Sequence, residues 1–225
     1  FYGIDKAIKA IPPLYIFEGQ ADAVTARRYG LINCVALAGS SLSTDHVHLL
    51  KELKCNDICI CLDSDEIGQK KQAQILEEKL AGHQELRVRL IELPKGDDPD
   101  SFIRENGIAA FRKLTTWSAF EWRLNRFGEN EDQVEVCKKM VPFIANEHSP
   151  IERESLCKIL ATRTGVSIKA INDELNVLIN AREFDRSRER KNLLDKLKYN
   201  LDRSPEDAET LIYTVQYSLQ ELSRK

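Results

Sequence analysis

The chain has 225 residues, of which 42% are hydrophobic and 31% charged, and its formal net charge is −3. This balance is typical of a globular protein with one large domain or two modest ones. No apolar run approaches the ~20 residues that span a bilayer, and the first residues do not resemble a signal peptide. We therefore expect a cytoplasmic protein without a membrane partner. Because the chain starts at Phe1 rather than Met, we expect it to be part of a longer polypeptide.

The six cysteines form no CxxC pair. Cys59 and Cys61 alternate on a predicted buried strand, where cysteine behaves as a small hydrophobic residue. A zinc site that also uses Cys55 fits the usual ligand spacings poorly. The pattern favours reduced cysteines.

Strands and helices alternate in the first half of the chain. Apolar runs predict strands at 14–17, 34–38, 58–62 and 86–93, and the segments between them predict helices at 5–11, 20–29, 43–54 and 66–81. Gly30 and Gly82 are the expected helix stops, and Ser43 is an expected cap. This alternation predicts an α/β fold with a mainly parallel sheet flanked by helices.

The pattern changes after about residue 110, where no further strand is expected. Amphipathic helices are predicted at 131–146 and 151–162, and another runs from Ser167 to about residue 181. A last helix is expected to begin at Ser204-Pro205. We therefore expect an α/β domain at 1–112, an all-helical subdomain at 113–181, and a helical linker or the start of another region at 182–225.

Acidic residues follow three of the predicted strands. Glu18 follows the first strand and Asp63 and Asp65 follow the third. After the fourth come Asp97, Asp98 and Asp100. The carboxyl ends of parallel strands meet at one edge of a sheet, which is where ligands bind in such folds. Asp22 lies one helical turn beyond Glu18 and can point back to the same place.

Clustered carboxylates repel one another unless a cation neutralises them. Mg²⁺ prefers oxygen ligands, and Mn²⁺ accepts the same donors, so the pattern indicates a site for one of these ions. The alternative is that the acids are helix caps and solvated loop charges, which fits Asp65, Glu66 or Asp98 taken singly.

Two of these segments resemble the motifs of the Toprim fold, which primases, topoisomerases and some nucleases share. The first is Glu18-Gly19-Gln20-Ala21-Asp22, which resembles EGxxD, and the second is Asp63 to Gly68, which resembles DxDxxG. The segment Leu93 to Phe102 (LPKGDDPDSF) resembles a more specific motif of bacterial DnaG-type primases. Residues 150–153 and 161–167 resemble their helical subdomain, so the resemblance covers about residues 1–180.

The resemblance implies RNA primer synthesis from ribonucleoside triphosphates on a single-stranded DNA template. It implies that Glu18, Asp63 and Asp65 form the catalytic centre and hold the principal Mg²⁺ or Mn²⁺ ion. The assisting metal ligands would be Asp22, Asp98 and Asp100. Candidate nucleotide or template contacts are Arg27, Arg28, Gly39, Ser40 and Lys95, although the two arginines fit equally well as surface charges. A replicative helicase is the expected partner, through regions beyond this chain.

The chain departs from the family in one respect and leaves two alternatives open. It lacks the family's zinc-binding domain and the basic first part of the polymerase core, so we expect it to make little primer alone. A nuclease or topoisomerase of the Toprim fold would use the same carboxylates. A topoisomerase also needs a nucleophilic tyrosine, and Tyr213 and Tyr217 are expected to pack instead. Residues 151–180 also have a helix-turn-helix pattern, with only Lys169, Asn172 and Asn176 available to read DNA.

Overall fold

The computed structural model describes residues 1–7, 12–37, 39, 41–80, 83, 85–128, 130–203 and 212–218. The chain divides into two compact units, Phe1–Glu129 and Asn130–Lys225, and each is described by itself. In the described part of the chain, no helix combines the length and the apolar character that crossing a membrane requires.

The first unit is built on a five-stranded sheet. Its strands are β1 (Leu14–Phe17), β2 (Cys34–Ala36), β3 (Asp57–Cys61), β4 (Arg87–Ile91) and β5 (Thr116–Ser118). Their order across the sheet is β2-β1-β3-β4-β5, and the first four are parallel. The helices are α1 (Ile4–Ala7), α2 (Gln20–Arg28), α3 (Thr44–Glu52), α4 (Glu66–Gln74), α5 (Pro99–Phe111) and α6 (Ala119–Leu124). The predicted α/β fold is confirmed.

Both faces of the sheet are covered, as expected when parallel strands are joined by helices. One face packs around Ile16, Ile60 and Leu90, and the other packs around Phe17 and Phe111. The strand cysteines Cys34, Cys59 and Cys61 have free thiols and are buried in the second of these layers. Burial on both sides explains why β1 and β3 are almost continuously apolar.

Most of the predicted helix boundaries agree with the structure. Ser43 caps α3 by accepting a hydrogen bond from the His46 backbone at 3.2 Å, and Gly30 follows α2 with a φ of 96°. α4 continues as a π-helical segment over Ile75–Lys79. The first helix is described as Ile4–Ala7, and residues 8–11 and Gly82 lie outside the described residues.

The prediction that no strand follows residue 110 was wrong. β5 pairs antiparallel with β4, with Trp117 opposite Leu90. Three residues are too few to show an alternating pattern, and pairing with β4, more than 20 residues earlier, stabilises the strand. β5 and α6 belong to the first compact unit, while the expected boundary at 112/113 stays a prediction.

The outer side of the edge strand β2 is covered by the first residues of the chain. Tyr2 and Ala36 exchange two backbone hydrogen bonds, at 2.9 and 3.2 Å, in an antiparallel bridge. The guanidinium of Arg27 donates to the carbonyl oxygens of Gly3 and Cys34 at 2.6 and 2.5 Å. Arg27 therefore ties the first residues of the chain to the edge of the sheet.

The second unit contains α7 (Gln133–Ala145), α8 (Pro150–Thr164) and α9 (Ile168–Arg203), and each packs against the other two. Ser149 accepts from the Glu152 backbone at 3.3 Å, and Gly165 ends α8 in the left-handed region. The bounds of α7 and α8 agree to within two residues with the helices predicted at 131–146 and 151–162. Residues 212–218 are also helical, and the expectation that Tyr213 and Tyr217 pack was wrong, because they are 71% and 58% exposed.

The expectation that the helix after Ser167 ends near residue 181 was wrong, because α9 continues to Arg203. No Gly or Pro occurs between these residues to end it. The expected start at Ser204-Pro205 lies outside the described residues. Lys169 and Asn176 are exposed and Asn172 is half-buried, so the helix-turn-helix alternative gains little from the structure.

Candidate active site

The carboxyl ends of β1, β3 and β4 meet as the sequence predicts, because these strands are parallel neighbours. The loop after β3 and the loop after β4 are joined through Ser64, whose backbone N–H and hydroxyl both donate to the Asp97 carbonyl, at 3.2 and 2.8 Å. The Ser64 hydroxyl also accepts from the Gly96 backbone at 2.8 Å. These bonds hold the acidic loops of two strands side by side.

Asp63 lies at the centre of the acidic charges. Burial raises its pKa, and the charges of Glu18, Asp98 and Asp65 raise it further, while Lys71 lowers it. Electrostatic coupling of this kind requires short separations, so the structure brings these carboxylates together. A pKa that is raised by burial together with neighbouring negative charges is frequent at functional sites.

Asp22 is the most buried acid of the group, at 7% exposed. Its two oxygens accept from the Gly19 backbone at 2.9 Å and from the Asp100 backbone at 3.2 Å. Burial raises the pKa of Asp22 to about 6, and the charge of Asp63 adds to the effect. A Cβ at position 19 would lie 2.9 Å from an Asp22 oxygen, which explains the glycine after Glu18.

Lys71 is a member of the site that the sequence analysis missed. Its ammonium forms an ion pair with Glu18, and both side chains are about three-quarters buried. A lysine on a helix belongs to no motif, and its partner follows a different strand. The one available signal was its spacing, since Lys71 lies one to two turns into the helix that Asp65 starts.

Asp65 and Asp98 cap helices. Asp65 accepts from the Gly68 backbone at 2.6 Å at the start of α4, and Asp98 accepts from the Ser101 backbone at 2.7 Å at the start of α5. The alternative that single acids act as caps is therefore correct for these two. A carboxylate has two oxygens and about four acceptor positions, so capping leaves room for a second role.

Gly68, which ends the second motif, packs directly over the loop that carries Asp63. A Cβ there would collide with the Asp63 backbone carbonyl. The glycine thus allows α4 to begin close beneath the acidic loop, which brings Asp63 and the capping Asp65 to the same place.

The remaining expected residues have other neighbours or lie partly outside the site. Asp100 accepts from the Thr25 hydroxyl and pairs with Arg104 at 2.8 Å, and these contacts lower its pKa. Arg27 binds backbone carbonyls at the β2 edge, and Arg28 and Gly39 are exposed. Ser40 lies outside the described residues. Lys95 is brought to the site, because it lines a cavity together with Asp63 and Asp65.

The donors suit a hard divalent cation, since they are carboxylates whose charges raise one another's pKa. In the described residues, no three His, Cys, Asp or Glu side chains are arranged as a ready-made metal site. Lys71 instead supplies the nearby positive charge. The chemistry of the site therefore fits Mg²⁺ or Mn²⁺, and direct ligation by three carboxylates requires side chains to turn.

Comparison with known proteins agrees with this arrangement. A family model described as Toprim-like matches residues 15–103, which contain the whole acidic cluster. The DNA primase of Clostridium acetobutylicum is 34% identical over 184 residues, which cover 76% of this chain and 30% of that protein. The chain therefore spans less than a third of the length of the curated relatives it first matches.

Solved structures show the same fold. A DNA primase domain from Pseudomonas aeruginosa has a TM-score of 0.64 and 25% identity, and the match covers 78% of this chain and 58% of that one. The E. coli primase catalytic core has a TM-score of 0.61 and 25% identity, with 74% and 56% covered. The expected mostly parallel sheet followed by a helical region is thus shared with primase catalytic cores.

Proposed function

Because this chain belongs to the family of DnaG-type DNA primases, we propose that it carries the nucleotidyl-transfer site of an enzyme that makes short RNA primers. The substrates are ribonucleoside triphosphates, and the template is single-stranded DNA. The single observation that carries the proposal is the meeting of Glu18, Asp63 and Asp22 at one sheet edge, where the pKa of both aspartates is raised.

Glu18, Asp63 and Asp65 are the proposed principal ligands of Mg²⁺ or Mn²⁺, with Asp22 and Asp98 assisting. Asp100 is a weaker candidate, because Thr25 and Arg104 already bind its carboxylate. A bound divalent cation would neutralise the triphosphate and favour ionisation of the attacking 3′-hydroxyl.

The chain's own residues prepare the site for this charge. Gly68 and the Ser64 bonds hold the backbone of the acidic loops in place, so the rearrangement on binding is confined to side chains. Lys95 is exposed beside Asp63 and can attract phosphate oxygens. Lys71 competes with a metal ion for Glu18, because its ammonium already pairs with that carboxylate.

The proposal includes the setting of the reaction. A primase of a bacterial replication fork works in the cytoplasm, with a replicative helicase as partner. The helicase would bind to regions of the relatives that this chain does not span. A Toprim nuclease is the rival reading, since the same carboxylates would serve hydrolysis.

The test is template-directed primer synthesis by the intact protein with and without Glu18→Gln, which keeps the size of the side chain and removes its charge. We expect turnover to fall at least about a hundredfold, the scale of removing one strong electrostatic contact to the reacting centre. Asp45→Asn, an exposed first-turn residue of α3, is the control. Near-normal synthesis by folded Glu18→Gln, or cleavage of DNA without primer synthesis by the parent, would contradict the proposal.

A further inference from the structure

A cavity of about 770 Å³ lies beside the acidic cluster. It is bordered by the loop after β3, the first turns of α4, the segment after β4, and the region of β5 and α6. Asp63 and Asp65 form part of its wall. The volume falls within the range of roughly 300–1,000 Å³ that small-molecule sites occupy.

Aromatic and guanidinium groups line this cavity. Trp117 on β5 and Trp122 on α6 are the two tryptophans of the chain, and both contribute to the wall. The guanidinium of Arg126 lies 4.8 Å from the centre of the Trp122 ring. Aromatic rings and guanidinium planes are the surfaces on which proteins stack unpaired nucleobases.

Gln72 supplies a polar group in the same wall. The residue as a whole is 5% exposed, and it lines the cavity. An amide offers both a donor and an acceptor, which matches the edge of a nucleobase.

The acidic residues that line the cavity exclude it as a site for a simple anion such as phosphate. Glu66 and Glu92 line it together with Asp63 and Asp65, so a phosphate inside would meet negative charge on several sides. A neutral base and sugar do not suffer this repulsion. Lys95 lies in the same lining and gives the phosphates of a nucleotide a positive neighbour near the acidic cluster.

We propose that this cavity binds the base and sugar of a nucleotide whose phosphates face Asp63 and Asp65. The base stacks on Trp117 and on the guanidinium of Arg126, and the amide of Gln72 hydrogen-bonds to its edge. This inference rests on the proposed function, because it assigns the part of the nucleotide-binding site that holds the base.

Tryptophan fluorescence provides a direct test, since both tryptophans of the 225-residue chain lie in this wall. Adenosine, which carries no phosphate, should quench the fluorescence saturably without added metal. Inorganic triphosphate should leave it unchanged. A saturable signal with triphosphate alone, or none with adenosine, would overturn the proposal.

Variants assign the signal to the cavity. Gln72→Leu should weaken adenosine binding about tenfold, the effect of losing one good hydrogen bond. Its unfolding temperature should not fall, because leucine is apolar and of similar size at a position that is only 5% exposed. Arg126→Met, at an exposed position, should weaken binding about threefold without affecting folding. Gln74→Leu, the same change on the exposed face of α4, is the matched control.

Adenosine binding by Gln72→Leu that equals the parent's would sink the proposal. The two ideas fail separately. Primer synthesis that depends on Glu18, without any adenosine signal, removes only the base site. If Gln72→Leu loses the adenosine signal while Glu18→Gln still makes primer, only the assignment of the catalytic centre is wrong.

Discussion

The ammonium of Lys71 pairs with the carboxylate of Glu18 across the gap between α4 and the end of β1. The side chains are 25% and 22% exposed, so water screens the pair only partly. The acidic cluster thus contains a cation of its own, which also lowers the pKa of Asp63. A metal ion that binds Glu18 must compete with it.

Replacing this internal cation should strengthen metal binding. In Lys71→Met an incoming Mn²⁺ no longer displaces an ammonium, so we expect its affinity, measured by calorimetric titration, to rise about tenfold. Without metal the variant should be less stable by about 1 kcal/mol, because Glu18 loses its partner. Lys70→Met, at the exposed neighbouring position, should change neither quantity. Unchanged or weaker Mn²⁺ binding by Lys71→Met would count against the competition.

The stability of the metal-free protein should depend on pH through Asp22. Its pKa is raised from 3.8 to about 6 on folding, so folding favours the protonated form. The resulting stabilisation is complete below about pH 4 and is lost as the pH rises through 6, an effect of up to about 3 kcal/mol. Asp63 shifts in the same direction. Urea unfolding in chelator should therefore give a free energy that falls between pH 4.5 and 7.

Asp22→Asn should flatten this fall, even though the amide can replace only one of the two accepted hydrogen bonds. Saturating Mn²⁺ should also reduce it, because a bound cation favours the ionised carboxylates. Asp45→Asn should keep the parent profile. A profile in Asp22→Asn as steep as the parent's would show that another group controls the pH dependence.

The contacts of Arg27 indicate a structural role rather than the phosphate contact that the sequence suggested. Its guanidinium is bound to two backbone carbonyls, so Arg27→Met should remove about 1–3 kcal/mol of stability, chiefly because the carbonyl of the buried Cys34 loses this donor. Mn²⁺ and adenosine affinities should stay within about twofold. Arg28→Met, the exposed neighbour, should be neutral in both respects. A selective loss of nucleotide affinity with normal stability would restore the phosphate role.

The parts of this structure that sequence reasoning predicts are those coded by neighbouring residues. The apolar runs of β1 and β3, the Ser43 cap and the acids at strand ends are all visible within a few positions. Their convergence follows from the parallel sheet alone. This explains why Glu18 and Asp63 could be placed together before the structure.

The features that sequence reasoning missed depend on distant partners. β5 is three residues long and owes its existence to β4, and Lys71 meets Glu18 from a different strand-helix unit. The two tryptophans lie more than fifty residues after Asp63 in the sequence. Only the folded sheet brings them into the cavity wall that contains Asp63. Asp100 was placed near the site correctly, but its contacts with Thr25 and Arg104 left no trace in its motif.

The way the sheet is bounded has a consequence for self-association. An uncovered strand margin is a template on which another chain can add a strand and begin to aggregate. One edge strand is β5, which pairs antiparallel with β4 and is only three residues long, so it offers few groups for another strand to pair with. At the other, Arg27 takes the carbonyl of Cys34 while Tyr2 takes the N–H and the carbonyl of Ala36. Arg27 therefore protects this edge of the sheet, and its loss would expose β2 to the addition of a strand from another molecule.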